Sequence, residues 1–168
     1  MNRLYRIAVS VCLVGLLLIT GCTQAPPSPF EQAQIKSTQA KATPAVAQDA
    51  TQGSEFNKFF PTPEPGYERV YTQEKKGFAE AKLIKDGKDL ALLAISDTTS
   101  LPSAAAKFQN SPNQIAGYPS VEIGTTQSAI LVADRYQVKV LSRDTSFTAA
   151  DRQAWIEKFN LAGLAQLP

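Results

Sequence analysis

The sequence predicts an α+β fold: an antiparallel β-sheet of about five to six strands with two helices packed on one face, preceded by a disordered tether. Three observations carry this expectation. Short segments of mixed apolar and polar residues recur between turn signals across residues 67–143, an amphipathic helical pattern closes the chain, and residues 23–55 are poor in the side chains that build a core. Strands, a helix, further strands and a second helix is the order of an α+β domain, in which helices gather on a face of an antiparallel sheet. Residues 56–168 are ample for one core and scarcely enough for two, so they read as a single domain.

At the N-terminus, Arg3 and Arg6 precede an apolar run at residues 7–19 that only Ser10 and Gly15 interrupt. This is the positive region and apolar region of a secretory signal. A permanent membrane span is the weaker reading, because a helix needs about 20 apolar residues to cross the bilayer. The run ends in Leu18-Ile19-Thr20-Gly21-Cys22, with an aliphatic residue, a small residue and glycine ahead of a cysteine. That tetrad, Ile19-Thr20-Gly21-Cys22, resembles the bacterial lipobox, and the chain is similar to bacterial lipoprotein precursors. Thr20 departs slightly from the more usual Ser or Ala. The resemblance implies that residues 1–21 are a cleaved signal peptide, that Cys22 is the lipidated N-terminus of the mature protein, and that the lipid bilayer is a partner through it. The protein is then extracytoplasmic and anchored to a plasma, outer or thylakoid membrane. The rival is an ordinary signal peptide with a chance cysteine. Two or three acyl chains give stable anchoring where one gives only reversible binding.

Charge and residue usage narrow the function. Lys and Arg number 17 against 15 Asp and Glu, a formal charge of +2, and removal of Arg3 and Arg6 with the leader leaves the mature chain balanced. A neutral chain has no sequence-wide field for polyanions, so no nucleic-acid partner is expected. There is no histidine, and the two cysteines are Cys12 and Cys22. Imidazole-based nucleophiles, His or Cys metal sites and a mature disulfide are therefore excluded from the globular part. No cofactor or metal is expected.

Residues 23–55 are rich in Ala, Gln, Thr, Ser and Pro with one aromatic, Phe30, and read as a disordered linker. A fraying helix over residues 31–42 is the alternative. Residues 56–67, FNKFFPTPEPGY, place three phenylalanines among three prolines. The prolines exclude a helix interior or central strand, so the segment reads as a strap over the core edge or, less simply, as an exposed binding motif.

Residues 67–73 and 78–84 read as half-buried strands joined through Lys75-Lys76-Gly77, the second with Ala79, Ala81 and Leu83 on one face. Asp86-Gly87 is a type I′ hairpin signal leading to a strand at 89–97, whose unbroken apolar run suggests cover on both faces. A short helix is expected over 102–109. Residues 115–123 read as extended, and 126–143 as a hairpin broken near Asp134-Arg135 or as one bulged strand. Thr148 fits an N-cap with Asp151 three residues on, opening a helix at 149–159 that puts Trp155, Ile156 and Phe159 inward and Asp151, Glu157 and Lys158 outward. Asn160 suits its C-cap, and Leu161, Leu164 and Leu167 complete the packing. With its IAGYPSVEIG and ILVADRYQVKVLSRD segments, this part resembles small envelope domains of unassigned function in cyanobacteria and is loosely similar in layout to PsbP and Mog1-like proteins. Neither resemblance transfers a site.

Catalysis would have to rest on carboxylates, lysines, tyrosines and serines. Glu80 and Glu122 are the candidate acid pair for glycoside hydrolysis, and more simply are solvent-side strand residues. Asp86, Asp89 and Asp97 lack the dense oxygen spacing of a calcium loop. Ser142-Arg143-Asp144 holds no neighbouring base. No catalytic residue is assigned. The leading expectation is a non-catalytic binding module that assists an envelope or membrane complex through a protein partner, with Tyr67, Tyr71, Tyr118 and Tyr136 as candidate contact residues. The plainer reading makes these tyrosines half-buried sheet residues with hydroxyls at the rim. A carrier of a small or lipidic ligand and a carboxylate-dependent hydrolase are the alternatives.

Overall fold

The computed structural model describes residues 46–168. The leader, Cys22 and the linker up to residue 45 lie outside the described residues. Seven strands form one antiparallel sheet: β1 Tyr67–Lys75, β2 Phe78–Lys85, β3 Lys88–Asp97, β4 Gln114–Ile115, β5 Tyr118–Ile123, β6 Gln127–Val132 and β7 Tyr136–Ser142. Their spatial order is β1-β2-β3-β7-β6-β5-β4, two meanders joined where β3 pairs with β7. The fold is predominantly β, with two strands' worth of sheet more than the lower expectation.

The extra strand comes from turn chemistry. Residues 115–123 divide at Ala116-Gly117, where φ is 52° and 81°, so that β4 folds back on β5. Both central angles of this hairpin are positive, as in the type I′ turn expected and found at Asp86-Gly87 (φ 51° and 75°). The 126–143 segment turns at Ala133-Asp134 (φ 50° and 53°), one residue before the expected break, and the single bulged strand is excluded.

One face of the sheet carries the core. Alternation places Ala79, Ala81 and Leu83 of β2, Ala91, Leu93 and Ile95 of β3, and Val138 and Val140 of β7 inward, all fully buried. Helix α2, Ala149–Glu157, closes over β6 and β7 with Trp155 and Ile156, and the single turn α3, Leu161–Leu164, adds two buried leucines. Asn160 accepts from Gly163 N at 3.0 Å and so opens α3 as its N-cap instead of closing α2. Thr148 does cap α2, in a reciprocal box with Asp151: its hydroxyl accepts from Asp151 N while its own N–H donates to the Asp151 carboxylate. Thr148→Ala is expected to cost about 1 kcal/mol, read as a lower urea midpoint at unchanged slope.

Helices do not all share that face. The connection from β3 to β4 runs through a 3-10 turn, Thr98–Ser100, and a four-residue helix α1, Ser103–Ala106, shorter than the helix expected over 102–109. Phe108, 1% exposed, packs against Ala129 and Leu131, whose register sets them on the opposite face from Ile130 and Val132. This crossover covers only part of the second face. Hence the apolar run of β3 is sealed on one side, while on the other Ala94 is buried and Leu92 only half-buried.

The strap is docked. Phe56, Phe59 and Phe60 are buried in the main core, with Phe60 edge-on to Tyr71 at 5.4 Å and beside Phe159 at 5.3 Å. The folded part begins earlier than residue 56, because a 3-10 helix spans Gly53–Phe59 and Ala50 is buried. Gly53 is required there: a Cβ would lie 2.5 Å from Lys75 O and 2.6 Å from Phe78 O, both backbone. Polar ties complete the docking. Gly77 N donates to Thr51 O, Thr51 N donates to the Asp97 carboxylate at 2.9 Å, and Arg135 donates to both Asp97 and the carbonyl of Asp49.

Candidate interaction surface

The four tyrosines lie on the covered face and do not converge. Tyr136 is 0% exposed; its hydroxyl donates to the Pro168 carbonyl at 2.8 Å and lies 3.2 Å from the Thr51 hydroxyl, so it ties the strap to the C-terminus. Burial removes it from any contact surface, which corrects the expectation for this residue. Tyr71 is half-buried with its hydroxyl donated to Asn57 O, and burial raises its pKa above the ordinary value. Tyr118 is half-buried against the core at the β5 end. Tyr67 packs on Trp155 at 5.2 Å with Lys85 over its ring, and lines a cleft with Lys85, Lys88 and Asp151.

The acids do not pair for catalysis. Glu80 and Glu122 stand on opposite faces of the sheet, as their registers through Ala94 and Ser128 require. Asp86 and Asp89 sit at one end of β3 and Asp97 at the other. Among the described residues no three acids, cysteines or histidines gather in a cation-sized cluster.

The sequence reading missed the open second face. Val70, Lys82, Leu92, Leu141, Gln127 and Ile123 are successive cross-strand partners from β1 to β5. At about 4.8 Å per strand they form a row about 24 Å wide. Val70 is 45% and Ile123 40% exposed, while Leu92 and Leu141 between them are half-buried. Lys82 is held by Asp89 through an ion pair, which keeps its charge local and its aliphatic stem on the sheet. Four of the six side chains are aliphatic; Lys82, whose charge is paired, and half-buried Gln127 are the polar members.

A second missed feature is Arg152. Its spacing to Trp155, Ile156 and Phe159 is i, i+3, i+4, i+7, so it occupies the apolar stripe of α2, and it is 3% exposed. Nε donates to Ser128 Oγ at 2.8 Å, Nη1 to Ser142 Oγ at 3.0 Å and Nη2 to Glu122 Oε2 at 2.8 Å. Its counter-charge, Glu122, is half exposed. Arg152 lines a cleft of about 310 Å³ whose rim, from the exposure of its members, includes Arg143, Thr125 and Thr145. Asp144 on the same rim is held well below the usual carboxylate range by Lys88 and Ser146.

Among the described residues no helix is long and apolar enough to cross a membrane. Comparison with protein-family models, with curated proteins and with solved structures finds no match.

Proposed function

We propose that the protein is a membrane-tethered, extracytoplasmic interaction module that holds a partner protein of an envelope or membrane complex against the open face of its sheet. The observation that carries the reading is the row from Val70 to Ile123: four aliphatic side chains left outside the core along one line of the sheet, with Val70 and Ile123 at its two ends at least 40% exposed. The Ile19-Thr20-Gly21-Cys22 motif supports the tether, and docking of the strap supports a folded head that starts near residue 46. A carrier of a small ligand is the second reading, for which the cleft of about 310 Å³ lined by Arg152 is the candidate site. The separation of Glu80 from Glu122 on opposite faces argues against the acid pair of a hydrolase.

The test expresses the full chain in a bacterial host with a photo-crosslinking residue at Leu92 or, as control, at Glu157 on the outer side of α2. The expected result is a discrete adduct from Leu92, absent from Glu157 and abolished by Val70→Asp with Ile123→Asp. Intact mass in the same cells is expected to begin at Cys22 with acyl chains added, and Cys22→Ser to keep its leader. A soluble product in both, or adducts that ignore the charged substitutions, overturns the corresponding half of the reading.

A further inference from the structure

We infer that the corner of the open face around Phe78 is a docking site for the anionic headgroup surface of a lipid bilayer. The inference rests on the tethered-module reading and adds to it which end of the domain faces the membrane.

Three lysines meet at this corner. The Nζ of Lys75 stands 5.2 Å and that of Lys139 5.7 Å from the centroid of the one Phe78 ring. Lys107, on the crossover, is near enough to Lys139 that burial and then that neighbouring charge lower its pKa. None of the three forms an ion pair among the described residues, although other lysines of the domain do. One neighbouring acid, Glu80, shares the open face with Phe78, two residues along β2 and diagonal to Lys75. Glu80 lies in the row of Lys139 but two strands away, about 10 Å by strand spacing, and accepts from the Thr72 hydroxyl. Glu74 and Asp97 are on the covered face, bonded to Asn57 and Arg135. Three lysines set against this one acid, Glu80, leave an excess of like charge, and an external anion relieves the repulsion.

A bilayer fits better than an acidic protein for two reasons. The first is where the rest of the chain joins. Val46, the first described residue, lines a shallow cleft with Lys75, Lys76, Phe78, Ser100 and the Arg135-paired Asp97, so the N-terminal segment reaches the domain at this corner. The tethered-module reading puts Cys22, 24 residues before Val46, in the bilayer, so this corner is where the folded part meets the chain that leads to the membrane. The second is the mixture of side chains. Val46 is 40% exposed and Leu101, next to Ser100, is 61% exposed. An exposed apolar side chain beside Lys75 and Lys76, with Leu101 one residue beyond the cleft, matches the boundary between headgroups and acyl chains. The aliphatic row around Leu92 and Leu141 lies four residues further along the strands than the Phe78 row, about 13 Å, and two residues, about 7 Å, from Lys139.

The test uses the full chain purified from membranes and reconstituted into phosphatidylcholine vesicles with or without about 30% phosphatidylglycerol, with lysine acetylation read by mass spectrometry. Lys75, Lys76, Lys107 and Lys139 are expected to be protected several-fold in the anionic vesicles only, and the protection to vanish at about 0.5 M salt. Lys85 and Lys158 serve as unchanged controls. In the variant Lys75→Gln, Lys107→Gln, Lys139→Gln, Lys76 is expected to lose its protection, with circular dichroism confirming the fold. Equal labelling in both vesicle types, or equal protection by soluble glycerophosphate, overturns the inference. The intact mass of the same sample reports whether Cys22 is acylated, so failure of the tether and failure of the corner are told apart.

Discussion

Phe56→Ala is expected to lower the unfolding free energy by about 3–5 kcal/mol, against the 5–15 kcal/mol typical of a whole domain. Phe56 is 0% exposed and meets Tyr136 edge-on at 6.0 Å between ring centroids. Truncation removes the ring's transfer free energy and leaves a void that the neighbours cannot fill. Tyr136 is pinned through its hydroxyl to the Pro168 carbonyl, and Gly53 already abuts the backbone of Lys75 and Phe78, so the 3-10 helix cannot slide toward the β1–β2 turn. Urea titration is expected to show a lower midpoint with an unchanged slope, because the same surface is exposed on unfolding. A loss under about 1 kcal/mol would mean that the strap is an ornament on a core complete without it. The same experiment fixes the domain boundary, since a core that needs Phe56 cannot begin at β1.

Much of the sheet is legible in the sequence because alternation and turn chemistry agree. Ala79, Ala81 and Leu83 fall on the buried side as their period requires, and Asp86-Gly87 supplies two positive φ angles at the point where β2 turns into β3. The Ala116-Gly117 and Ala133-Asp134 hairpins are harder to read. Alanine is a poor left-handed residue, and the turn there is imposed by the strands on either side. Docking of residues 46–55 is invisible to composition for a different reason. Its anchors are backbone groups, Thr51 N and Thr51 O, and small buried residues, Ala50 and Gly53, which contribute no hydrophobic pattern.

The candidate surfaces show the same division. The tyrosines invite a reading as contact residues because their type is common at interfaces, yet burial depends on the strand face, and Tyr136 falls between Phe56 and the C-terminus. The row from Val70 to Ile123 assembles from six strands, and only the observed order, with β3 beside β7, brings Leu92 next to Leu141. The lysine corner likewise joins β1, β7 and the crossover. Arg152 alone left a signal within its own helix, a charge on an apolar stripe, which marks a guanidinium that must find acceptors inside.

Asp97→Asn is expected to be the second severe substitution, costing about 2–4 kcal/mol at neutral pH and flattening the acid limb of the stability curve. The Asp97 side chain is fully buried and accepts from Thr51 N, Thr99 N, the Thr99 hydroxyl, and Nε and Nη2 of Arg135. Burial by itself would raise the carboxyl's pKa. The hydrogen bonds from Arg135, Thr99 and Thr51 overcome that and hold it well below the usual carboxylate range. An amide turns one acceptor into a donor facing other donors, and leaves Arg135 without its counter-charge. The sign of the pH effect follows from proton uptake: unfolding releases the carboxyl to its ordinary value of about 3.9, so the unfolded chain binds the proton more readily. The stabilisation is complete above that value and drains away as pH falls below it toward the folded-state pKa. Wild type and Asp97→Asn should therefore differ by a constant amount in urea midpoint above about pH 5 and draw together as the pH falls below about 4 toward the folded-state pKa. Asp144 and Asp151, also held low, leave the variant a residual slope. Parallel curves at all pH values would show that the loss is one of packing and not of charge. Because Asp97 and Arg135 grip Thr51 and Asp49, the variant should also expose residues 46–51 to proteolysis before the sheet opens, at the place where any pull from the tether enters the fold.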